Sequence, residues 1–162
     1  MIGEDMKFSF IPYVDFDGTI TSKDIPYNSF LQFETKRILS KPNRRIVNIL
    51  KQRKFYILSH TCSWEKPFIW LFLIKAGIAK NCLKILTTCD NRYIKNRIWA
   101  FDMKAKIILD GVSQQILSGD FKWNNLWFQD FSYLYIDGDE ETKGEVLNRI
   151  RLELIDRSKM KP

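Results

Sequence analysis

Histidine occurs once in this chain, and cysteine three times, at Cys62, Cys82 and Cys89. The cysteines are odd in number and show neither a CxxC pair nor the spacing of a metal site. Nothing therefore suggests a zinc module or a disulfide framework, and a reduced, cytoplasmic protein is expected. Seven glycines and five prolines are too few for collagen-like or low-complexity sequence. The longest fully apolar run, Phe68 to Ile74, is far short of the roughly 18 residues that suggest a membrane span. The opening Met-Ile-Gly-Glu-Asp-Met-Lys is acidic and lacks the basic region of a secretory signal. No membrane partner is expected.

What is present points to a folded domain. The chain has 162 residues, of which 45% are hydrophobic and 14% aromatic, enough apolar surface to offset ordering entropy. At this length a single domain over 1–162 is the default. The 26 Lys and Arg outweigh 19 Asp and Glu, leaving a net charge of +7. Local clusters lie at Lys36-Arg37, Lys41 to Arg45 and Lys51 to Lys54. They fit solvated helix faces, or the attraction of an anionic substrate from a phosphate ester up to a nucleic acid.

Strand and helix periods alternate along the chain. Phe8 to Val14, Lys54 to Leu58, Leu83 to Thr88, Lys106 to Leu109 and Ser132 to Ile136 read as five strands. Pro12 removes a ladder donor from the first, so a bulge or an edge position is expected there. Ile46, Ile49 and Leu50 share one helical face before the second strand, and Trp64 to Ala79 forms a very apolar helix with Gly77 near its stop. Ile94, Ile98 and Phe101 mark a helix before the fourth strand, and Leu147, Ile150 and Leu154 a final one. The pattern predicts a three-layer, Rossmann-like α/β fold: a mainly parallel, five-stranded sheet with helices on both faces. Such sheets bind ligands at the carboxyl ends of their strands.

The first strand runs into Asp15-Phe16-Asp17-Gly18-Thr19-Ile20-Thr21. Two carboxylates two residues apart project near one point once the chain turns. One can attack phosphorus and the other can act as general acid and then base. Gly18 allows a tight turn, and Thr19 offers a hydroxyl and an amide to phosphate oxygens.

This heptapeptide after an apolar strand resembles the first motif, Asp-x-Asp-x-Thr, of the haloacid dehalogenase-like superfamily of phosphatases. The resemblance implies a Ser or Thr at the end of the next strand, and Phe55-Tyr56-Ile57-Leu58-Ser59 offers Ser59. It implies a basic residue ahead of the fourth strand, for which Lys95 is chosen over Lys80, Lys84 and Arg92. It implies an acid after a strand to complete a Mg²⁺ site. Asp110 follows Ile107-Ile108-Leu109 and is preferred by strand count, with Asp137 in Asp137-Gly138-Asp139 as the alternative. Glu140 or Glu141 would then be the later acid. The implied ligands are Asp15, the Asp17 backbone carbonyl and Asp110, with water making up the rest. Where many relatives carry a second acid beside the first, Gly111 and Val112 follow here.

The family's cap insertions have little room in this chain. Residues 22–42 hold at most a small flap, which resembles capless or minimally capped members and an open site for large phosphoesters. The expected function is a Mg²⁺-dependent phosphoric monoester hydrolase working through an aspartyl phosphate. Its substrate would be a phosphorylated small molecule or nucleic-acid end, and the protein a monomer or homodimer. The alternative is a catalytically weakened member that binds a phosphate ligand or nucleic acid. His60 either lines the site or is a satisfied turn residue. The Phe68 to Ile74 run with Trp64 and Trp70 reads as a buried helix or a dimer surface. Trp123, Trp127 and Phe128 read as core or as base-stacking residues.

Overall fold

A computed structural model describes residues 10–22, 38–61, 63–88, 97–117 and 133–159. Its elements run β1 (Tyr13–Val14), α1 (Arg44–Leu50), β2 (Phe55–Ser59), α2 (Lys66–Ala76), β3 (Cys82–Thr87), α3 (Arg97–Leu117), β4 (Tyr135–Ile136) and α4 (Glu140–Lys159). Among the described residues the strands form one four-stranded sheet in the order β3-β2-β1-β4, and each neighbouring pair is parallel. This is an α/β architecture, compatible with a Rossmann-like fold.

Helices cover both faces. Val47 and Leu50 of α1 and Ile69, Phe72 and Leu73 of α2 pack with Val14, Ile57 and Ile85. On the opposite face, Phe101, Ala105, Ile108 and Val112 of α3 and Val146, Leu147 and Ile150 of α4 pack with Tyr13, Leu58 and Tyr135. Side chains alternate along a strand, so Tyr13 and Val14 necessarily serve different layers. Leu154 is also buried, as the final helix required.

Two helix and strand ends follow from local chemistry. Gly77 closes α2 at φ 77°, the left-handed conformation that glycine adopts without a Cβ clash, and its N–H donates to the Ile74 carbonyl. Pro12 lies just ahead of β1 and contributes only its carbonyl, which accepts from the Tyr56 N–H at 3.0 Å. The missing donor therefore costs the ladder nothing.

The sheet differs from the sequence expectation at one strand. Residues 106–109 lie inside the 21-residue helix α3. Four consecutive residues of this kind cannot be told from a helix segment by periodicity alone. The longer pattern decides: Phe101, Ala105, Ile108, Leu109 and Val112 recur at helical spacing and are all buried. The strand counted fifth is therefore β4, beside β1. Ile98, expected on the inner face of this region, is 63% exposed.

The apolar helix α2 is only half covered. Ile69, Phe72 and Leu73 are buried, whereas Trp70, Leu71 and Ile74, with Trp64 just ahead of the helix, are exposed. Trp123, Trp127 and Phe128 lie outside the described residues.

Candidate active site

Register brings the acids together. Tyr13 pairs with Tyr135 and Val14 with Ile136, so the next residue of each strand is Asp15 on one side and Asp137 on the other. The Asp15 N–H donates to the Ile136 carbonyl at 2.8 Å, which carries the pairing one step past the strand ends. Asp15 shares a side of its strand with Tyr13, and Asp137 with Tyr135, because both pairs are two residues apart. Both carboxylates thus emerge at the carboxyl end of the sheet, on the side covered by α3 and α4.

The loop after Asp15 is tightly wound. The Phe16 carbonyl accepts from the N–H groups of Thr19, Ile20 and Thr21 at 3.2, 3.0 and 3.3 Å. Gly18 takes φ 75°, and its N–H donates to Thr21 Oγ1 at 2.9 Å. Thr19 turns inward and is buried. Its hydroxyl accepts from the Gly138 N–H at 2.7 Å and lies 3.1 Å from Asp15 Oδ2 and 3.5 Å from Asp137 Oδ1. A hydroxyl has one proton to give, and the shorter contact assigns it to Asp15. Sequence reasoning offered this hydroxyl to a phosphate. The structure commits it to holding the two loops and the Asp15 carboxylate.

A lysine from α3 completes the cluster. Lys104 Nζ lies 3.4 Å from Asp15 Oδ1 and 2.7 Å from the Tyr135 hydroxyl, with the lysine side chain only 6% exposed. The Tyr135 hydroxyl donates to Asp137 Oδ2 at 2.6 Å, and the Asp139 N–H donates to Asp137 Oδ1 at 2.8 Å. Asp139 in turn accepts from the Glu141 and Thr142 N–H groups, capping the start of α4.

These groups floor an open cleft of about 460 Å³ lined by Asp15, Asp17, Gly18, Ser22, Lys104, Asp137, Gly138, Asp139 and Thr142. Burial pushes the Asp15 carboxyl up to about 7; Lys104 opposes the rise, while Asp137 and Asp17 add to it by like-charge repulsion. Tyr135 is held well above its ordinary range by burial and then by the surrounding carboxylates, so it stays protonated and acts as a donor to Asp137.

Of the residues singled out in the sequence, Asp15, Asp17, Thr19 and Asp137 converge here. Asp110 does not. It lies exposed on α3 and borders a separate groove of about 500 Å³ between α3 and α4, with Asp102, Lys106, Arg149, Glu153 and Asp156 among its lining. Gly111 shares that helix. A Cβ there would come within 1.5 Å of the Tyr13 hydroxyl, so the glycine serves helix-on-sheet packing and does not mark a lost acid. Ser59 is buried at the end of β2 and is not among the described residues lining the cleft. Lys95 and Arg92 lie outside the described residues. Lys80 is exposed, and so is Lys84 on β3. His60 Nδ1 lies 2.6 Å from Thr88 Oγ1, so it is a partnered turn residue.

Lys104 and Tyr135 were missed in the sequence. Lys104 had a signal: it interrupts the apolar stripe of Phe101, Ala105, Ile108 and Val112 with a charge that cannot be buried alone. Reading 106–109 as a strand hid that stripe. Tyr135 had a weaker one, standing two residues before an acid on a buried strand.

The oxygen-only character of the acids suits a hard cation. Among the described residues no group of three or more His, Cys, Asp or Glu side chains forms a complete metal cage. Mg²⁺ does not require one, since it is commonly held by one or two carboxylates with water and substrate phosphate filling the remainder. Compared with known proteins, the chain matches no family model, no curated protein and no solved structure.

Proposed function

We propose that this protein is a Mg²⁺-dependent phosphoric monoester hydrolase that uses Asp15 as its nucleophile. The observation that carries the reading is the pairing of Asp15 and Asp137 across β1 and β4 with the buried Lys104 ammonium 3.4 Å from Asp15. Three carboxylates, Asp15, Asp17 and Asp137, share the cleft with one buried cation; burial above all destabilises Asp15 as an anion, Lys104 opposes this, and Asp137 and Asp17 add to it. That imbalance is what a divalent cation would correct. Asp15, Asp137 and the Asp17 backbone carbonyl are the groups that would hold it. When bound, Mg²⁺ supplies charge compensation to the nucleophile and the phosphoryl oxygens.

The residues then divide the work. An Asp15 oxygen attacks phosphorus, the bond to the leaving oxygen breaks, and Asp17 gives that oxygen a proton. Asp17 next takes a proton from water, whose oxygen attacks the phosphorus of the aspartyl phosphate. Inorganic phosphate leaves, and the Asp15 carboxylate is restored. Lys104 neutralises charge that builds on the phosphoryl oxygens, in the role the resemblance assigned to Lys95. Thr19 orients Asp15 through its hydroxyl.

The cleft is open and bordered by polar groups, which suits a substrate whose bulk stays in solvent. The segment 22–42 begins and ends beside it: Thr21 and Pro42 form an antiparallel bridge, and the Ser22 N–H donates to the Lys41 carbonyl at 2.8 Å. Exposed Arg44 and Arg45 at the start of α1 follow directly and would favour polyanionic phosphoesters.

The test is phosphate release from an aryl phosphate with and without Mg²⁺, together with trapping of the acyl phosphate by hydroxylamine. Mg²⁺-dependent turnover with hydroxylamine-sensitive labelling of Asp15 is expected. Absence of both in folded protein would overturn the reading.

A further inference from the structure

Two short side-chain contacts beneath the cleft belong to Tyr135, a residue no step of the proposed chemistry uses. Its hydroxyl accepts from Lys104 Nζ at 2.7 Å and donates to Asp137 Oδ2 at 2.6 Å. The Lys104 contact to Asp15 is longer, at 3.4 Å. The ammonium is therefore anchored first to the tyrosine and only secondarily to the nucleophile. Its position also lies 5.3 Å from the Tyr135 ring centre, so ring and hydroxyl both bear on it.

A phenol is suited to this place. Its hydroxyl can accept from a cation and donate to a carboxylate at once without adding charge. Phenylalanine would fill the same volume on the sheet but would leave a buried ammonium with one long contact and an Asp137 oxygen without its donor. A further carboxylate would add repulsion to Asp15. Tyr135 is fully buried among Tyr13, Ala105, Ile108 and Val146, so its hydroxyl has no freedom to swing away. The backbone explains the reach: Tyr135 and Asp137 lie on the same side of β4, and α3 crosses that side with Lys104 directed inward.

We propose that Tyr135 is a positioning residue, whose hydroxyl sets the Lys104 ammonium and the Asp137 carboxylate in fixed relation to Asp15. The assignment rests on the phosphatase reading of the same cleft. Tyr135 is fully buried and is not among the described residues lining the cleft, so it would meet neither substrate nor reacting atoms. Its effect passes through Lys104, which meets the phosphoryl charge, and through Asp137, which serves the cation.

The experiment is Tyr135→Phe in the full chain, with kcat, KM and the Mg²⁺ concentration for half-maximal activity measured on an aryl phosphate. We expect kcat to fall by about 10- to 100-fold and the Mg²⁺ requirement to rise, with KM changed less than either. A double-mutant cycle with Lys104→Met separates positioning from general packing. Removing the hydroxyl should cost much less once the ammonium is gone. Full additivity, or a variant with kcat and Mg²⁺ requirement within about twofold of wild type, overturns the assignment while leaving the phosphatase reading intact. A wild type without Mg²⁺-dependent hydrolysis overturns both. Should Tyr135→Phe fail to fold, the wild-type hydroxyl proton provides the test: it should be protected from exchange and visible by NMR near neutral pH. Rapid exchange would overturn the assignment.

Discussion

Gly138 and Gly18 face each other across the cleft floor at backbone contact distance. A Cβ on Gly138 would lie 2.3 Å from the Gly18 carbonyl oxygen, which is closer than real Cβ contacts allow. The two loops that carry Asp17 and Asp137 are thus locked together where neither has a side chain to interpose. Fixed backbone geometry at this point determines the separation of the acids.

The first prediction compares two glycines. Gly138→Ala must push the loops apart and is expected to cost about 1–3 kcal/mol of stability along with most of the activity. Gly144 lies within α4, and a Cβ added there would meet nothing within 4 Å. Gly144→Ala should raise stability by about 0.5–1 kcal/mol through helix propensity and leave turnover unchanged. Denaturant melts of both variants check this, and a neutral Gly138→Ala would show that the loops are not locked.

The second concerns the metal acid. Asp137→Asn removes a charge from the carboxylate paired with Asp15, so the Mg²⁺ concentration for half-maximal activity should rise by about tenfold or more, on the order of ligand-shell changes. Asp110→Asn, on the exposed side of α3, should leave the Mg²⁺ titration unchanged. The reverse pattern would return the metal site to Asp110.

The third concerns Lys104. Lys104→Met keeps the length of the chain in its buried slot but removes the charge beside Asp15. Turnover should fall by about 10² to 10³, the range for deleting one electrostatic stabiliser of the transition state. Steady-state kinetics give the answer, and retention of wild-type kcat would remove Lys104 from the site.

The fourth joins mutation to pH. Asp15 titrates at about 7 in the folded protein against 3.8 ordinarily, so the folded state holds its proton more tightly than the unfolded chain. For an acid shifted upward, stability is lost as pH rises from about 4 through 7, because folding must then bury an anion. Metal-free wild type should therefore melt lower at about pH 8 than at about pH 5. Asp15→Asn, with no turnover, should lose much of that slope, and Mg²⁺ should stabilise the wild type at the higher pH more than the variant. Thermal melts at the two pH values decide it; equal slopes would mean that Asp15 is not the strained group.

Much of this molecule was legible in its sequence because local chemistry acts locally. The apolar segment ending in Asp15-Phe16-Asp17-Gly18-Thr19 announces a strand exit with paired acids. Gly77 marks a helix stop, and the spacing of Leu147, Ile150 and Leu154 marks the inner face of α4; each depends only on neighbours along the chain. The alternation of these periods was enough for an α/β architecture with a parallel sheet. What sequence could not settle was the identity of Ile107-Ile108-Leu109, since a short apolar run satisfies a buried strand and a buried helix equally well. Packing settled it, by burying Phe101, Ala105, Ile108 and Val112 together on one side of α3. That decision moved the acid beside Asp15 from Asp110 to Asp137, because β4 is the strand next to β1 that ends in an acid. It also brought Lys104 and Tyr135, far from Asp15 in the chain, to its carboxylate and to each other. Their meeting depends on a helix crossing a sheet at one height, a relation between distant segments that no residue's neighbours along the chain encode.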